Sequence, residues 1–326
     1  MSKVFHKFYT IALSTAVLLA GCSVSIEQTP PTPPAKTGTP TISTPKVIAY
    51  NFEDKFNNFA QCDGQFYQRT APVLVGDKGQ KLNQSLYALC FDGFATLYSG
   101  VSRTPFWSAS HLDRKRVVQA RSLTRVDNFR AEKRLAPNHR AELADYRRSG
   151  FDRGHIAPNG DMATNDEQYA SFSLANIVPQ NGEHNRNLWR HIENATRTLT
   201  SKYNDVYVVT GVAFIGTTSE RIGGRVLVPS HFFKAIYIPS INQAGVYFSA
   251  NSASADYEVI SLSELSARTG IDAMPNLSSD VKHHAFNLPA PMTQKQADAI
   301  ILNNRDTWLA FGGELIDYAV NFLRKS

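Results

Sequence analysis

Cysteine is scarce in this sequence, which has three in 326 residues and no Cys-x-x-Cys pair. The absence of such a pair excludes a zinc ribbon and a dithiol redox centre, since both are built on it. The apolar run from Ile11 to Ala20 is too short for an ordinary transmembrane helix, which needs about 20 residues. No internal repeat or second linker is visible, so residues 47 to 326 are predicted to form one mixed α+β domain.

The N-terminus has the charge and length of a signal peptide. Lys3 and Lys7 precede the apolar run, and the tetrad Leu-Ala-Gly-Cys follows it and ends at Cys22. This tetrad resembles the lipobox of bacterial lipoproteins, which implies that residues 1 to 21 are a signal peptide and that Cys22 is lipidated. The protein is then expected outside the cytoplasm, anchored by lipid to a bacterial membrane, at the outer membrane and periplasm or on the cell surface. An ordinary cleaved signal and an uncleaved anchor are the alternatives.

A segment rich in proline and threonine follows the lipobox. Residues 22 to 46 contain almost no large apolar side chain, so they cannot bury enough surface to offset the entropy of the chain. Because proline keeps such a segment semi-extended, we expect a tether between the membrane and the folded domain.

Cys62 and Cys90 are the two cysteines left after the proposed anchor. A disulfide between them is permitted outside the cytoplasm. Sequence spacing alone does not show that their Cα atoms come within bonding reach. A disulfide and two buried free thiols therefore both stay open.

Positive charge is unevenly distributed along the chain. The formal net charge is +6, and it falls to +4 when Lys3 and Lys7 leave with the signal peptide. From Arg103 to Arg153 there are 13 Lys or Arg against 6 Asp or Glu, an excess of +7, so the rest of the mature chain is slightly acidic. Such a basic segment suits a polyanionic substrate. A solvated basic face, or one that touches anionic lipid, is the alternative.

Local patterns predict an alternation of short strands and a few helices. Runs of β-branched and aromatic residues predict strands at Gln65–Tyr67, Ala71–Val75, Leu86–Phe91, Ala95–Tyr98, Phe106–Leu112, Ala175–Val178, Val206–Gly211, Val226–Pro229, His231–Ile238 and Tyr257–Ile260. The segment from Gly76 to Gly79 is interpreted as a turn, and Pro179 as the end of a strand. Apolar spacing and capping patterns predict helices at Asp166–Leu174, His184–Thr198, Leu262–Arg268 and Thr293–Ala310, before a last segment, Leu315–Leu323.

The stretch from Phe151 to Pro158 places a base, a cation and a glycine in neighbouring positions. Cutting a phosphodiester needs a base to activate water and positive charge on the non-bridging oxygens. His155 suits the first role because an imidazole titrates near neutral pH. Arg153 suits the second because its guanidinium forms a bidentate fork that matches phosphate. The chemistry predicted for this stretch is therefore phosphodiester cleavage.

Oxygen ligands for a metal ion lie downstream, where Asn185 and Glu193 fall on one predicted helix. The two are eight residues apart, about 12 Å along a regular helix axis, so they cannot both bind one ion directly. We expect Asn185 to be the one protein ligand, with Glu193 in a supporting or water-mediated role. So sparse a site suits Mg²⁺ better than Zn²⁺, with Mn²⁺ as an alternative.

These residues belong to ordered motifs that resemble the DNA/RNA non-specific endonucleases of the ββα-metal finger class, the group of endonuclease G. The resemblance lies in Asp-Arg-Gly-His-x-Ala-Pro at Asp152–Pro158, then Asn-Ile-Val-Pro-Gln at Asn176–Gln180, then Asn185 and Glu193 at matching spacing. It spans most of residues 105 to 275. The fold implied is α+β, with a central antiparallel β-sheet and a ββα-metal finger at the active site.

The resemblance also implies roles for individual residues. His155 would be the general base and Asn185 the direct Mg²⁺ ligand, while Arg153 would steady the phosphate. Asn176 and Glu193 would shape the site.

The family uses a further arginine upstream of these motifs. Arg125 and Arg130 both lie near the right place, and spacing does not decide between them, although we favour Arg125.

The function predicted from these motifs is Mg²⁺-dependent hydrolysis of DNA and RNA through contacts to the phosphate backbone, which carry no sequence information directly. A non-catalytic, extracytoplasmic lipoprotein that binds nucleic acid is the alternative, and a phosphodiesterase for another phosphate ester is a third hypothesis. The preference for DNA or RNA and the oligomeric state, including a homodimer, stay open.

Overall fold

The computed structural model describes residues 45–53, 58–216 and 220–303 of the chain. The predicted signal peptide, Cys22 and all but the last two residues of the predicted tether lie outside the described residues, as do residues 304–326. Within the part that is described, no helix is long and apolar enough to cross a membrane.

The strands are numbered here in chain order. They are β1 (Val47–Ile48), β2 (Val73–Val75), β3 (Leu86–Phe91), β4 (Phe94–Ser99), β5 (Thr104–Asp113), β6 (Asp152–His155), β7 (Ile177–Gln180), β8 (Asp205–Ala213), β9 (Arg221–Ile222), β10 (Val226–Leu227), β11 (His231–Ile238), β12 (Gln243–Ala250), β13 (Glu258–Ile260) and β14 (Ile271–Asp272).

The helices are short, apart from the one that follows β7. They are α1 (Gly76–Leu82), α2 (Arg114–Ser122), α3 (Leu143–Tyr146), α4 (Asn165–Ser171), α5 (Gly182–His184), α6 (Arg190–Tyr203), α7 (Leu262–Thr269), α8 (Ser279–His283) and α9 (Gln294–Asn303). A π-helical turn, Asn185–Trp189, joins α5 to α6. Single 3-10 turns lie at Ala60–Gln65, Tyr67–Arg69, Asn159–Asp161, Leu174–Asn176 and Pro239–Ile241.

Seven antiparallel strands form the central sheet in the order β13-β12-β11-β8-β5-β4-β3. Near-continuous apolar runs such as that of β11 are typical of strands with both faces buried. Gly211 of β8 lies opposite Trp107 on one side and Phe233 on the other. A Cβ at Gly211 would lie 2.3 Å from the Phe233 ring and 2.4 Å from the carbonyl oxygen of Phe106. The close packing of these three strands therefore requires glycine.

Each face of the central sheet carries a hydrophobic core. One core includes Trp107 and Phe233, together with buried side chains of the N-terminal turns and of α7. The other packs Phe232 of β11 against Trp189 of the π-helical turn and Ile192 of α6. Full burial of a side chain of this size contributes about 1.5–3 kcal/mol. This packing fixes the π-helical turn that carries Asn185 and the helix that carries Glu193 against the sheet.

The strands β6 and β7 form a separate antiparallel pair, with Arg153 opposite Pro179 and His155 opposite Ile177. Together with the following helix they make a ββα unit. The interpretation that Pro179 ends the strand is wrong, because Pro179 lies inside β7. A two-stranded sheet has open edges, where a missing N–H is tolerated. The antiparallel central sheet and the ββα unit confirm the predicted α+β fold.

Two other local predictions are wrong. Gln65–Tyr67 lies in 3-10 turns and not in a strand, and Gly76 to Gly79 begins α1 instead of forming a turn. The patterns also missed β12, whose Gly245 weakens the strand signal. That glycine has a packing role, since a Cβ there would lie 2.7 Å from the carbonyl oxygen of Phe286.

Cys62 and Cys90 form a disulfide, with their Cα atoms 5.5 Å apart. The bond joins the first N-terminal turn to β3 at the edge of the central sheet. The alternative of two free thiols is therefore excluded.

Candidate active site

His155 is the last residue of β6, and only 9% of it is exposed. Its ring lies against Phe129 and Phe172, with centroid distances of 5.5 Å and 5.0 Å. Its Nε2 atom is enclosed and makes no hydrogen bond to any residue that the structure describes. Burial lowers the pKa of His155 to about 3, and the charges of Arg125 and Arg153 add to this effect. The imidazole is therefore neutral at pH 7 and able to accept a proton.

Two exposed arginines flank this imidazole. The guanidinium carbon of Arg153 lies 4.2 Å from the centroid of the Phe129 ring. That of Arg125 lies 5.2 Å from the centroid of Phe172, and its Nε donates to Asp127 over 2.6 Å. Since both rings touch His155, both positive charges lie beside the predicted base.

Arg130 occupies a different place. Its guanidinium carbon lies 3.5 Å from the centroid of the Tyr169 ring, and its Nη1 donates to the carbonyl oxygens of Tyr169 and Asn128. Arg125 thus lies against a ring that contacts His155, whereas Arg130 stacks on Tyr169.

Asn176 is fully buried, and its amide is saturated with hydrogen bonds. Its Oδ1 accepts from the N–H of Ala157 over 2.8 Å and from the Ser108 hydroxyl over 3.0 Å. Its Nδ2 donates to the carbonyl oxygens of Ala157 and Ser171 over 2.9 Å and 3.0 Å. Asn176 therefore fixes the backbone two residues after His155, and its amide is held in the interior.

Asn185 begins the π-helical turn, and its side chain points to β6. Its Nδ2 donates to Oδ2 of Asp152 over 3.0 Å, while Arg186 binds the same carboxylate through Nε and Nη2 over 2.9 Å and 2.5 Å. Because the amide nitrogen is used in this way, Oδ1 of Asn185 is the atom left for another ligand. Single π turns inside α-helices are frequent at functional sites.

Glu193 lies two turns further along and belongs to a network of partly or fully buried charges. Its carboxylate is 15% exposed and lies 3.7 Å from Nη2 of Arg197, whose Nε contacts Asp161 over 2.6 Å. Lys234 is fully buried and donates to the hydroxyl of Thr210 over 2.6 Å. Burial raises the pKa of Glu193, and the positive charges of Arg197 and Lys234 oppose that rise.

Electrostatics connects the two halves of the site. The charge of Arg125 lowers the pKa of both His155 and Glu193, so this guanidinium lies within electrostatic range of β6 and of α6. Arg153 and Arg125 thus lie beside His155, and Glu193 lies within the electrostatic range of Arg125.

Gly154 has a packing reason for its place between Arg153 and His155. A Cβ at Gly154 would lie 2.0 Å from Oε1 of Gln180, on the facing strand. Gln180 in turn donates to Nδ1 of His184 over 2.7 Å, and Nε2 of His184 lies 2.8 Å from the Ser249 hydroxyl. This buried series of hydrogen bonds holds the β6–β7 pair against α5 and β12.

Sequence reasoning gave no role to Asp152, Arg197 or Lys234. The sequence contains a local feature that could have indicated two of these residues. Arg197 is four residues after Glu193, on the same face of the helix, and Lys234 stands between apolar residues of a buried strand, where a charge needs a partner. The contact of Asp152 with Asn185 joins positions 33 residues apart and had no local signal.

Several known proteins are similar to this chain in sequence or in fold. Residues 74–280 match the family model of the DNA/RNA non-specific endonucleases. Nuclease C1 of Cunninghamella echinulata var. echinulata is 36% identical over 160 residues, which are 45% of this chain and 64% of that protein. Human mitochondrial endonuclease G is 33% identical over 170 residues, 49% of this chain and 54% of that protein. The chain thus spans less than two thirds of the length of these two relatives.

A bacterial relative and a solved structure are also similar. A nuclease of Nostoc sp. is 29% identical over 219 residues, 62% of this chain and 78% of that protein. A crystal structure of the EndoG/EndoGI complex, described as showing the mechanism of EndoG inhibition, has a TM-score of 0.54 at 27% identity, over 57% of this chain and 86% of that one. Because the family model covers more than half of the 326 residues, the chain belongs to the DNA/RNA non-specific endonuclease family.

Proposed function

We propose that this protein is an endonuclease that hydrolyses phosphodiester bonds of DNA and RNA without sequence specificity. The observation that carries the proposal is a neutral, buried imidazole, His155, flanked by the guanidinium groups of Arg153 and Arg125. Membership of the endonuclease family supports it.

In the proposed mechanism His155 takes the proton of the attacking water. Because burial lowers its pKa, the imidazole is unprotonated in the neutral range, as a general base must be. Arg153 and Arg125 are exposed next to it and bind the non-bridging oxygens, where negative charge gathers as water attacks. Phe129 and Phe172 exclude water from the sides of the ring and hold its orientation.

The site fits a hard divalent cation, Mg²⁺ or Mn²⁺, bound through a single protein ligand. Oδ1 of Asn185 is oriented for this by the bond from its Nδ2 to Asp152. A site with so few protein ligands suits a cation that keeps most of its water shell. A bound cation would neutralise charge on the leaving oxygen. Glu193 would act on it through water, and Asn176 positions the backbone beside His155.

The membrane anchor belongs to the same proposal. We propose that Cys22 is lipidated after removal of residues 1 to 21, and that residues 22 to 46 tether the enzyme to a bacterial membrane outside the cytoplasm. The Cys62–Cys90 disulfide supports an oxidising compartment. Globomycin treatment of cells that express the protein should leave an uncleaved precursor, and normal processing would refute the lipoprotein assignment.

A plasmid-nicking assay tests the enzymatic proposal against the alternative of a nucleic-acid-binding lipoprotein. The purified protein should nick plasmid and degrade RNA with Mg²⁺, and EDTA should stop both reactions. His155→Ala should lose nearly all turnover but still shift DNA in a gel, whereas the exposed control His283→Ala should cut normally. Binding without any EDTA-sensitive cleavage would refute the enzymatic proposal and favour the alternative.

A further inference from the structure

Tyr169 is an exposed aromatic residue beside the proposed active site. It lies on α4, and 49% of it is exposed. The guanidinium carbon of Arg130 lies 3.5 Å from the centroid of its ring, which is the distance of a planar stack. Arg130 and Tyr169 thus form a stacked pair at the protein surface, here called the Tyr169 platform.

Backbone hydrogen bonds hold the platform rigidly. The N–H of Arg130 donates to the carbonyl oxygen of Phe172 over 3.2 Å, and the carbonyl oxygen of Arg130 accepts from the N–H of Leu174 over 2.8 Å. The guanidinium donates to the carbonyl oxygens of Asn128 and Tyr169. The stack is therefore formed before any ligand binds, so that little side-chain entropy is lost on binding.

The same segment connects the platform to the proposed catalytic groups. Tyr169 is three residues before Phe172, and the N–H of Phe172 donates to the carbonyl oxygen of Tyr169 over 3.2 Å. The Phe172 ring centroid lies 5.0 Å from that of His155 and 5.2 Å from the guanidinium carbon of Arg125. Tyr169 therefore lies on the order of 10 Å from the imidazole, about three nucleotides along a stacked strand.

A second exposed apolar side chain accompanies the platform. Val126, adjacent to Arg125, is 69% exposed on the loop that carries Arg130. Apolar and planar side chains next to arginines suit a ligand with flat apolar faces and negative charges, which describes an unpaired nucleotide.

We propose that Tyr169, backed by Arg130, stacks on an unpaired base about three nucleotides from the scissile phosphate, so that the site favours single-stranded nucleic acid. The inference rests on the proposed endonuclease function. In a duplex both faces of a base are covered by its neighbours, and freeing one costs a few kcal/mol. A flexible single strand presents base faces at no such cost, while its phosphates still reach Arg153 and Arg125.

The kinetic test compares one oligonucleotide as a single strand and as a duplex with its complement. Tyr169→Leu should lower kcat/KM on the single strand by about 5- to 150-fold, mainly through KM, and change the duplex value less than about twofold. Tyr169→Trp should restore the single-strand value. The exposed control Tyr257→Leu should change neither. An equal loss on both substrates, or no loss on the single strand, would overturn the proposal.

A binding test does not depend on catalysis. Single-stranded DNA that contains 2-aminopurine should lose fluorescence on binding to His155→Ala, because stacking quenches this base. Adding Tyr169→Leu should abolish the quench. A quench that persists in the double variant would refute the platform, even if cleavage occurs. A quench that depends on Tyr169, in a wild-type protein that cuts nothing, would support the platform and refute the endonuclease proposal.

Discussion

Two buried histidines should make the folded protein lose stability as the pH falls below about 6.5. His155 is 9% exposed and His184 is 1% exposed. Burial lowers the pKa of His155 to about 3 and that of His184 to about 4. In the unfolded chain both groups bind a proton below about pH 6.5. The unfolded state therefore binds more protons, and the free energy of unfolding rises with pH in this window.

The size of the effect follows from the two pKa values. For each group, every pH unit by which the pH falls from the unfolded pKa towards the folded pKa lowers the free energy of unfolding by about 1.4 kcal/mol. At pH 5 each histidine then lowers the free energy of unfolding by about 2 kcal/mol relative to pH 8, or about 4 kcal/mol together. That is a large part of the roughly 5–15 kcal/mol that holds an ordinary domain folded.

Urea unfolding followed by tryptophan fluorescence at pH 8, 7, 6 and 5 measures this dependence. His184→Gln keeps an amide for the contacts to Gln180 and Ser249 but does not titrate. The loss of free energy of unfolding between pH 8 and pH 5 should be about 2 kcal/mol smaller in this variant than in the wild type. The control His284→Gln removes an imidazole from the surface, where the side chain is 72% exposed, and should leave the loss as in the wild type.

The difference between the variants isolates one group, because other ionisable residues titrate in the same way in each protein. Identical pH dependence in His184→Gln and the wild type would refute the reasoning. If His184→Gln is too unstable at pH 8, His184→Asn provides the same comparison.

Three further predictions concern packing, the disulfide and the substrate. Gly154→Ala should lower stability by about 1–3 kcal/mol and reduce nicking, because its Cβ would meet Gln180 at 2.0 Å; normal melting and cleavage would contradict this. The double variant Cys62→Ser with Cys90→Ser should lower the free energy of unfolding by about 3–4 kcal/mol, because the bond closes a loop over a separation of 28 residues. Urea unfolding curves measure this change. Treatment of the wild type with dithiothreitol should give the same loss of stability. The cleavage rate should fall steeply between about 50 and 200 mM salt, since binding through phosphates releases counterions; a salt-independent rate would count against phosphate contacts.

Local sequence predicted much of the fold correctly. His231–Ile238 coincides with β11, since its β-branched and aromatic residues fit a strand buried on both faces. The helix from Leu262, capped by Ser261 and followed by Gly270 at a positive φ of 77°, also agrees, because capping depends on neighbouring residues. The strand predicted at Gln65–Tyr67 is wrong, because so short a segment does not reveal whether it lies in a strand or a turn.

The sequence by itself determined the ordered motifs that contain His155, Asn176, Asn185 and Glu193, and the resemblance of these motifs to a known family predicted the ββα unit and the roles of the four residues. Only the tertiary structure decided their environment. Burial among aromatic rings sets the pKa of His155, and a contact across 33 residues orients Asn185. Both effects come from groups distant in the chain, since solvent exclusion and hydrogen-bond geometry depend on three-dimensional neighbours.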